Sequence, residues 1–182
     1  EVANRKLNLM YSITRHDILN KITALNCYLD LSGQIATAPA QNEYIKKEKE
    51  ITGIIVEQIE FTGEYQKIGI GAPVWQDLEV VLLKAASRLD LKSIRLVNQL
   101  PRAEVYADPL FEKVFYNLID NAIRYGGKIT TITFSEKKSG NEYVVTCEDD
   151  GEGIPAEDKS RLFIRGFGKN TGLGLFLSRE IL

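Results

Sequence analysis

Cysteine is nearly absent: the 182 residues hold two, Cys27 and Cys147. Two cysteines cannot build a disulfide framework, and these share no metal-ligand or redox spacing, so a reduced, cytoplasmic compartment is expected. Long apolar runs are missing too. The longest, Val80-Val81-Leu82-Leu83, is far short of the roughly 18 residues a membrane-spanning helix needs. Charge of one sign is not in excess, and a net charge of −2 leaves no electrostatic footprint for nucleic acid or an anionic membrane. Five prolines and 14 glycines are too few for a collagen-like or low-complexity chain. What remains is ordinary globular composition, 44% hydrophobic and 26% charged, sufficient for one domain or two small ones. The opening Glu1-Val2-Ala3-Asn4-Arg5-Lys6 is polar and already reads as helix, not as a signal peptide. The chain is therefore read as starting within an element, with more of the parent protein before it.

Glycine and proline divide the sequence into two parts. Residues 1–68 contain only Gly33, Gly53, Gly63 and Pro39 of these types. Ile18, Ile22, Leu25 and Leu29 recur at 4-3-4 spacing, the stripe of a helix that packs on other helices. Ser32-Gly33 through Pro39-Ala40 breaks that helix, and a second is predicted from Gln41 to Gln66 with Ile45, Ile51, Ile55 and Ile59 on its apolar face. Its glutamates and lysines between Glu43 and Glu50 form a solvated mixed-charge face. A lone helical hairpin cannot bury two faces, so pairing of two copies into a four-helix bundle is expected.

From residue 72 to 182 the pattern changes to mixed helix and strand. Strands are predicted at Val74–Leu78, Ser93–Leu100 and Ala103–Ala107, with a helix over Glu79–Arg88. Asp108-Pro109 reads as the start of a second helix, Asp108 as its N-cap, which ends at Gly126-Gly127. Two β-rich runs, Lys128–Ser135 and Glu142–Glu148, are joined across Lys137–Asn141 as a hairpin. Six of the 14 glycines then fall between Gly151 and Gly174, which marks a loop-rich functional segment.

His16 is the only histidine. Two positions from Ile18 is about 200° of helix rotation, so it faces away from the apolar stripe, with Asn20 one turn further along the same face. An exposed imidazole beside the carboxylate of Asp17 can act as a nucleophile; a solvated surface histidine is the plainer reading. Asn117 and Asn121 lie four apart in mid-helix, where asparagine is a poor helix former. Their amide oxygens suit Mg²⁺, and Arg124 suits phosphate. A polar outer stripe of Asn117, Asp120, Asn121 and Arg124 explains the same pattern. Asp149, followed by Gly151 and Gly153, offers a carboxylate to a ligand amino group while bare backbone approaches the ligand ring. It is equally an acidic turn after a strand. Neither a dinucleotide fingerprint nor a P-loop is present. Finally, Phe163 to Leu175, with Gly166, Gly168, Gly172 and Gly174, is a glycine loop entering a helix, which can present N–H groups to phosphates.

Taken in order, these segments resemble the catalytic core of a sensor histidine kinase of two-component signalling, and the resemblance covers nearly the whole chain. Arg15-His16-Asp17-Ile18-Leu19-Asn20 resembles the phosphoacceptor box, and Asn117-Leu118-Ile119-Asp120-Asn121-Ala122-Ile123-Arg124-Tyr125 the asparagine box. Asp149-x-Gly151-x-Gly153 resembles the first glycine box, Phe163 and Phe167 the phenylalanine box, and Gly172-Leu173-Gly174-Leu175 the second glycine box. The resemblance implies a dimerisation and histidine-phosphotransfer hairpin at 1–68. It also implies a two-layer α+β sandwich of the gyrase-, Hsp90-, histidine kinase- and MutL-like type at 72–182, lacking its final strands because the sequence ends at Leu182. It implies ATP and Mg²⁺ as ligands. Asp149 would contact the adenine amino group, Asn117 and Asn121 the metal, and Arg124, Tyr125, Gly151, Gly153, Phe163, Phe167, Thr171, Gly172, Leu173 and Gly174 the rest of the nucleotide site. His16 would be the phosphoacceptor, Asp17 its general base, and Asn20 a residue that positions water in dephosphorylation. The implied partners are a second copy, the receiver domain of a response regulator and an upstream sensor domain; nucleic acid and direct membrane contact are not expected. The segment between Phe167 and Gly172 is shorter than the family's, with Asn170 where glycine is frequent. A phosphotransfer adaptor that ignores ATP, and a hydrolytic ATPase that ignores His16, are the competing readings.

Overall fold

The computed structural model describes residues 2–139, 142–168 and 172–182, with side chains for 15, 18–137, 142–168 and 172–182. The chain separates into two compact units, Glu1–Gln66 and Lys67–Leu182.

The first unit is a helical hairpin of α1 (Val2–Ile35) and α2 (Pro39–Tyr65). The break between them is shorter than the predicted 32–40 segment. Glycine inside a helix weakens it without breaking it, so α1 runs through Gly33, and Pro39 opens α2 at its first turn. The seam between the helices buries Ile22, Leu29 and Thr52, whose hydroxyl donates to Asn26 Oδ1 at 2.7 Å. Near the far end of α2, Gly63 is buried because the Arg15 side chain occupies the space a Cβ would take. The predicted stripe is only half covered. Ile18 and Leu25 on α1 are 38% and 47% exposed, and Ile51 and Ile55 on α2 are 56% and 38% exposed. The physical reason is geometric: two helices share one seam, and a stripe wide enough for a bundle extends beyond it. On the polar side Lys47 pairs with Glu43 at 2.8 Å and Lys49 reaches Asp30 on α1 at 2.6 Å.

The second unit runs β1 (Val74–Asp77), α3 (Leu78–Ala86), β2 (Arg95–Gln99), β3 (Glu104–Ala107), α4 (Phe111–Tyr125), β4 (Thr131–Ser139), β5 (Glu142–Asp149), α5 (Ala156–Lys159) and α6 (Gly174–Ile181). Strands β1 and β3 form an antiparallel pair, with Val74 opposite Ala107. In the second sheet β4 is central, parallel to β2 on one side and antiparallel to β5 on the other. Its apolar face carries Ile132 and Phe134, both fully buried, and Phe134 stacks on Phe115 of α4 with ring centroids 5.3 Å apart. Leu82 of α3, Ile119 of α4 and Leu177 of α6 complete a core that binds a helical layer to a strand layer. This is the two-layer α+β arrangement that the motifs implied.

Several element ends shift by a residue or more from the sequence reading, and two of these shifts bear on the site. Asp108 is not the N-cap of α4; Leu110 holds that position without a side-chain cap. The Asp108 carboxylate instead accepts the N–H groups of Leu110 at 2.7 Å and Gly69 at 2.9 Å. An Asp-Pro pair readily closes such a side-chain turn, which displaces the helix start to Phe111. In the hairpin, β4 and β5 remain paired to Ser139 opposite Glu142, so Lys137 and Lys138 belong to the strand. Gly140 and Asn141 lie outside the described residues. Among the described residues no helix is long and apolar enough to cross a membrane.

Candidate nucleotide-binding site

The helix α4 is amphipathic, with Val114, Phe115, Ile119 and Ala122 in the core. Asn117 shares that buried side. It is only 6% exposed, so the reading of Asn117 as part of a polar outer stripe does not hold. A buried amide needs partners, and this one finds them on α6, 57 and 61 residues later. Asn117 Nδ2 donates to the Gly174 carbonyl at 2.8 Å and to Ser178 Oγ at 3.0 Å. Asn121, one turn on, is half-buried, and its Nδ2 is a buried donor with no protein acceptor. Arg124 lies on the more exposed side, its Nε paired with Asp120 Oδ1 at 2.9 Å, and Tyr125 is 38% exposed at the end of the helix.

The C-terminus of α4 meets the segment after β5. Gly126 caps α4, and its carbonyl accepts the N–H of Glu152 at 3.0 Å. At Gly151 an added Cβ would overlap the Gly126 carbonyl oxygen and lie 2.6 Å from Asp149 Oδ1 and 2.8 Å from Gly126 Cα. Only glycine permits that approach. Asp149 is exposed, and its Oδ1 accepts the Gly151 N–H at 2.9 Å. Gly153 follows in a left-handed conformation, φ +72°.

Asp150 was not singled out from the sequence, yet it anchors this loop. Its carboxylate accepts the N–H of Thr130 at 2.8 Å, the N–H of Thr131 at 3.0 Å and the Thr130 hydroxyl at 2.5 Å. The hydroxyl bond first, then the two N–H bonds, lower its pKa to about 2. Side-chain alternation along β5, carried one residue past its end at Asp149, is the signal that separates the two adjacent aspartates: Asp150 ties back to the sheet while Asp149 is left at the open end. Cys147, further back on β5, has its thiol pushed up to about 12 by burial and by the charges of Asp149 and Glu148.

The glycine segment before α6 is built on backbone contact. Phe167 is half-buried with the Arg161 guanidinium 4.2 Å above its ring. Gly172, at φ +58°, lies so close to Phe167 that a Cβ would overlap the Phe167 carbonyl oxygen. Leu173 stands at the N-cap of α6 and Gly174 opens the helix. Phe163 is exposed. Thus Asn117 is joined to Gly174, Asp149 to Gly151 and Gly126, and Phe167 to Gly172, all in one unit. Thr171 and the side chains of His16 and Asp17 lie outside the described residues. Asn20 is on the exposed side of α1, in the other unit.

Residues 107–182 match the family described as histidine kinase-, DNA gyrase B- and HSP90-like ATPases. The adaptive-response sensory kinase SasA of Crocosphaera subtropica is 41% identical over 104 residues, which cover 50% of this chain and 27% of that protein. The signal transduction histidine-protein kinase AtoS of Escherichia coli is 28% identical over 183 residues, covering 92% of this chain and 29% of its own length. The chain thus spans less than a third of these two relatives. Among solved structures, the Acinetobacter baumannii histidine kinase AdeS superposes with a TM-score of 0.57 at 26% identity, over 90% of this chain and 84% of that one. Residues 107–182 thus match that ATPase family, and over most of its length the chain is similar to histidine kinases in sequence and in fold.

Proposed function

We propose that this chain autophosphorylates His16 from ATP and passes the phosphoryl group to an aspartate of a response regulator, with dephosphorylation of that regulator as a second activity. The observation that carries the reading is that α4 is the common partner of both glycine segments: Asn117 bonds to Gly174 at one and Gly126 packs on Gly151 at the other. One helix therefore sets the distance between an adenine-type acceptor, Asp149, and a phosphate-type loop at Gly172–Gly174.

Asp149 accepts a hydrogen bond from the adenine amino group while Gly151 and Gly153 leave room for the ring. Phosphate oxygens satisfy the orphaned Nδ2 of Asn121 and the N–H groups at Gly172, Leu173 and Gly174. Phe163, Phe167 and Thr171 flank the nucleotide, with Arg124 and Tyr125 at the end of α4. Amide oxygens are hard donors that fit Mg²⁺, so Asn117 and Asn121 would hold the ion, which would supply charge neutralisation on the phosphates. His16 attacks the γ-phosphorus, the bond to the β-phosphate oxygen breaks, ADP leaves and the imidazole proton passes to Asp17. Asn20 orients water for the reverse, hydrolytic task.

The exposed Ile18, Leu25, Ile51 and Ile55 support pairing of two hairpins into a four-helix bundle in a cytoplasmic homodimer. The receiver domain docks on that bundle near His16, and a sensor domain upstream supplies the signal. The test is incubation with Mg–ATP and a purified receiver domain. Sequential labelling of the chain and then the receiver is expected, with both lost in Asp149→Asn. A chain that binds no Mg–ATP refutes the reading and leaves a docking adaptor.

A further inference from the structure

Ser178 has no place in the motifs, yet it is 3% exposed and occupies the centre of the only buried side-chain polar cluster among the described residues of the second unit. Its hydroxyl donates to the Gly174 carbonyl at 3.0 Å, across one turn of α6. That leaves its lone pairs to accept from Asn117 Nδ2, which also donates to the same Gly174 carbonyl. The chemistry of these partners decides which end of the amide faces α6. A carbonyl can only accept, and a hydroxyl whose proton is already given to that carbonyl can only accept as well. Two acceptors therefore converge on one end of Asn117, and that end has to be the NH₂. The reverse orientation would set the amide oxygen against the Gly174 carbonyl with no proton between them.

We propose, on the basis of the nucleotide site above, that Ser178 is a positioning residue: through Gly174 it locks the Asn117 amide with its nitrogen toward α6 and so commits the Asn117 oxygen to the cation of a Mg–nucleotide. Gly174 takes part in the same device. A Cβ there would lie 3.5 Å from Asn117 Oδ1 and 3.5 Å from its Cγ, so a side chain would cover the amide that glycine leaves open. Hydrogen bonds that fix a metal ligand's orientation are worth an appreciable part of its affinity. Removing the hydroxyl leaves the amide one acceptor instead of two, and the share of molecules with the oxygen correctly placed falls.

The experiment measures binding of a non-hydrolysable ATP analogue to the full chain in Mg²⁺ and, separately, in EDTA. The ratio of the two dissociation constants isolates the metal-dependent part. In Ser178→Ala that ratio is expected to fall by about three- to tenfold, the loss of one hydrogen bond, while binding in EDTA changes less than about twofold. Ser178→Thr, which keeps the hydroxyl, is expected to restore the ratio. Equal weakening in both buffers, an unchanged ratio, or failure of Thr to rescue a well-folded variant would overturn the proposal. If the native chain binds the analogue without any gain from Mg²⁺, this inference falls and ATP binding stands. If it binds in neither buffer, the nucleotide-site reading falls with it.

Discussion

Replacing Gly151 by alanine puts one methyl group where α4 and the loop after β5 already touch. The new carbon would overlap the Gly126 carbonyl oxygen and lie 2.8 Å from Gly126 Cα and 2.6 Å from Asp149 Oδ1. Two of these neighbours are backbone, and the third is tied to the Gly151 N–H, so relief requires the loop to move off the helix end. Overpacking of this kind costs about 1–3 kcal/mol. For a unit the size of Lys67–Leu182, about 3–5 °C is lost per kcal/mol, which gives a fall in Tm of about 3–15 °C. The same movement carries Asp149 away from Gly126, and nucleotide affinity is expected to drop by at least about tenfold. Gly153→Ala is the control. Gly153 has φ +72° and no atom within 4 Å of an added Cβ, so that substitution meets only the left-handed penalty of about 1 kcal/mol. Circular-dichroism melting and calorimetric titration with ADP, run on both variants, read the two quantities. A Gly151→Ala protein that melts and binds like the native chain, or a Gly153→Ala protein that is the more damaged, would refute the packing argument.

Other outcomes follow from single residues. Gly63→Ala should leave the hairpin as stable as before or slightly more so, because only the flexible end of Arg15 must move and alanine is favoured by about 1 kcal/mol over glycine in a helix; a fall in Tm would mean that Arg15 is held there by more than packing. Cys147, its thiol pushed up to about 12, should resist iodoacetamide at pH 8 while the exposed Cys27 is alkylated, as peptide mass spectrometry would read. Rapid alkylation of Cys147 in the folded chain would contradict its raised thiol pKa. Asp150 has its pKa lowered from 3.8 to about 2, so its ionised form stabilises the fold above the unfolded value and that contribution is lost as pH falls from about 4 to 2. Asp150→Asn should therefore flatten the dependence of Tm on pH in that window; an unchanged acid limb would remove Asp150 from the anchoring role.

The legible features were those with a local physical cause. The end of α4 at Gly126 follows from glycine at a helix terminus, and the parallel placement of β2 beside β4 lies beyond any local signal. The start of α4 was misplaced because Asp108 has two local uses, helix cap and side-chain turn, and the N–H of distant Gly69 favours the second. Asn117 shows the same limit more sharply. Mid-helix asparagine on its own reads as surface, and what buries it is a carbonyl and a hydroxyl on α6, far along the chain. Periodicity identified Ile18, Ile22, Leu25 and Leu29 as one face, but it does not say which members a single hairpin covers and which it leaves exposed. The motif residues of the candidate nucleotide site stood out through resemblance; Asp150 and Ser178, which hydrogen-bond to their surroundings, did not, because such a residue is defined by its partner and carries no pattern of its own.

The most direct measurement is incubation of the chain with Mg²⁺ and γ-labelled ATP beside His16→Gln. The expected result is covalent label that is acid-labile and alkali-stable in the native chain and missing from the variant. Label that persists in His16→Gln, or a native chain that binds Mg–ATP and acquires none, would contradict phosphoryl transfer to His16.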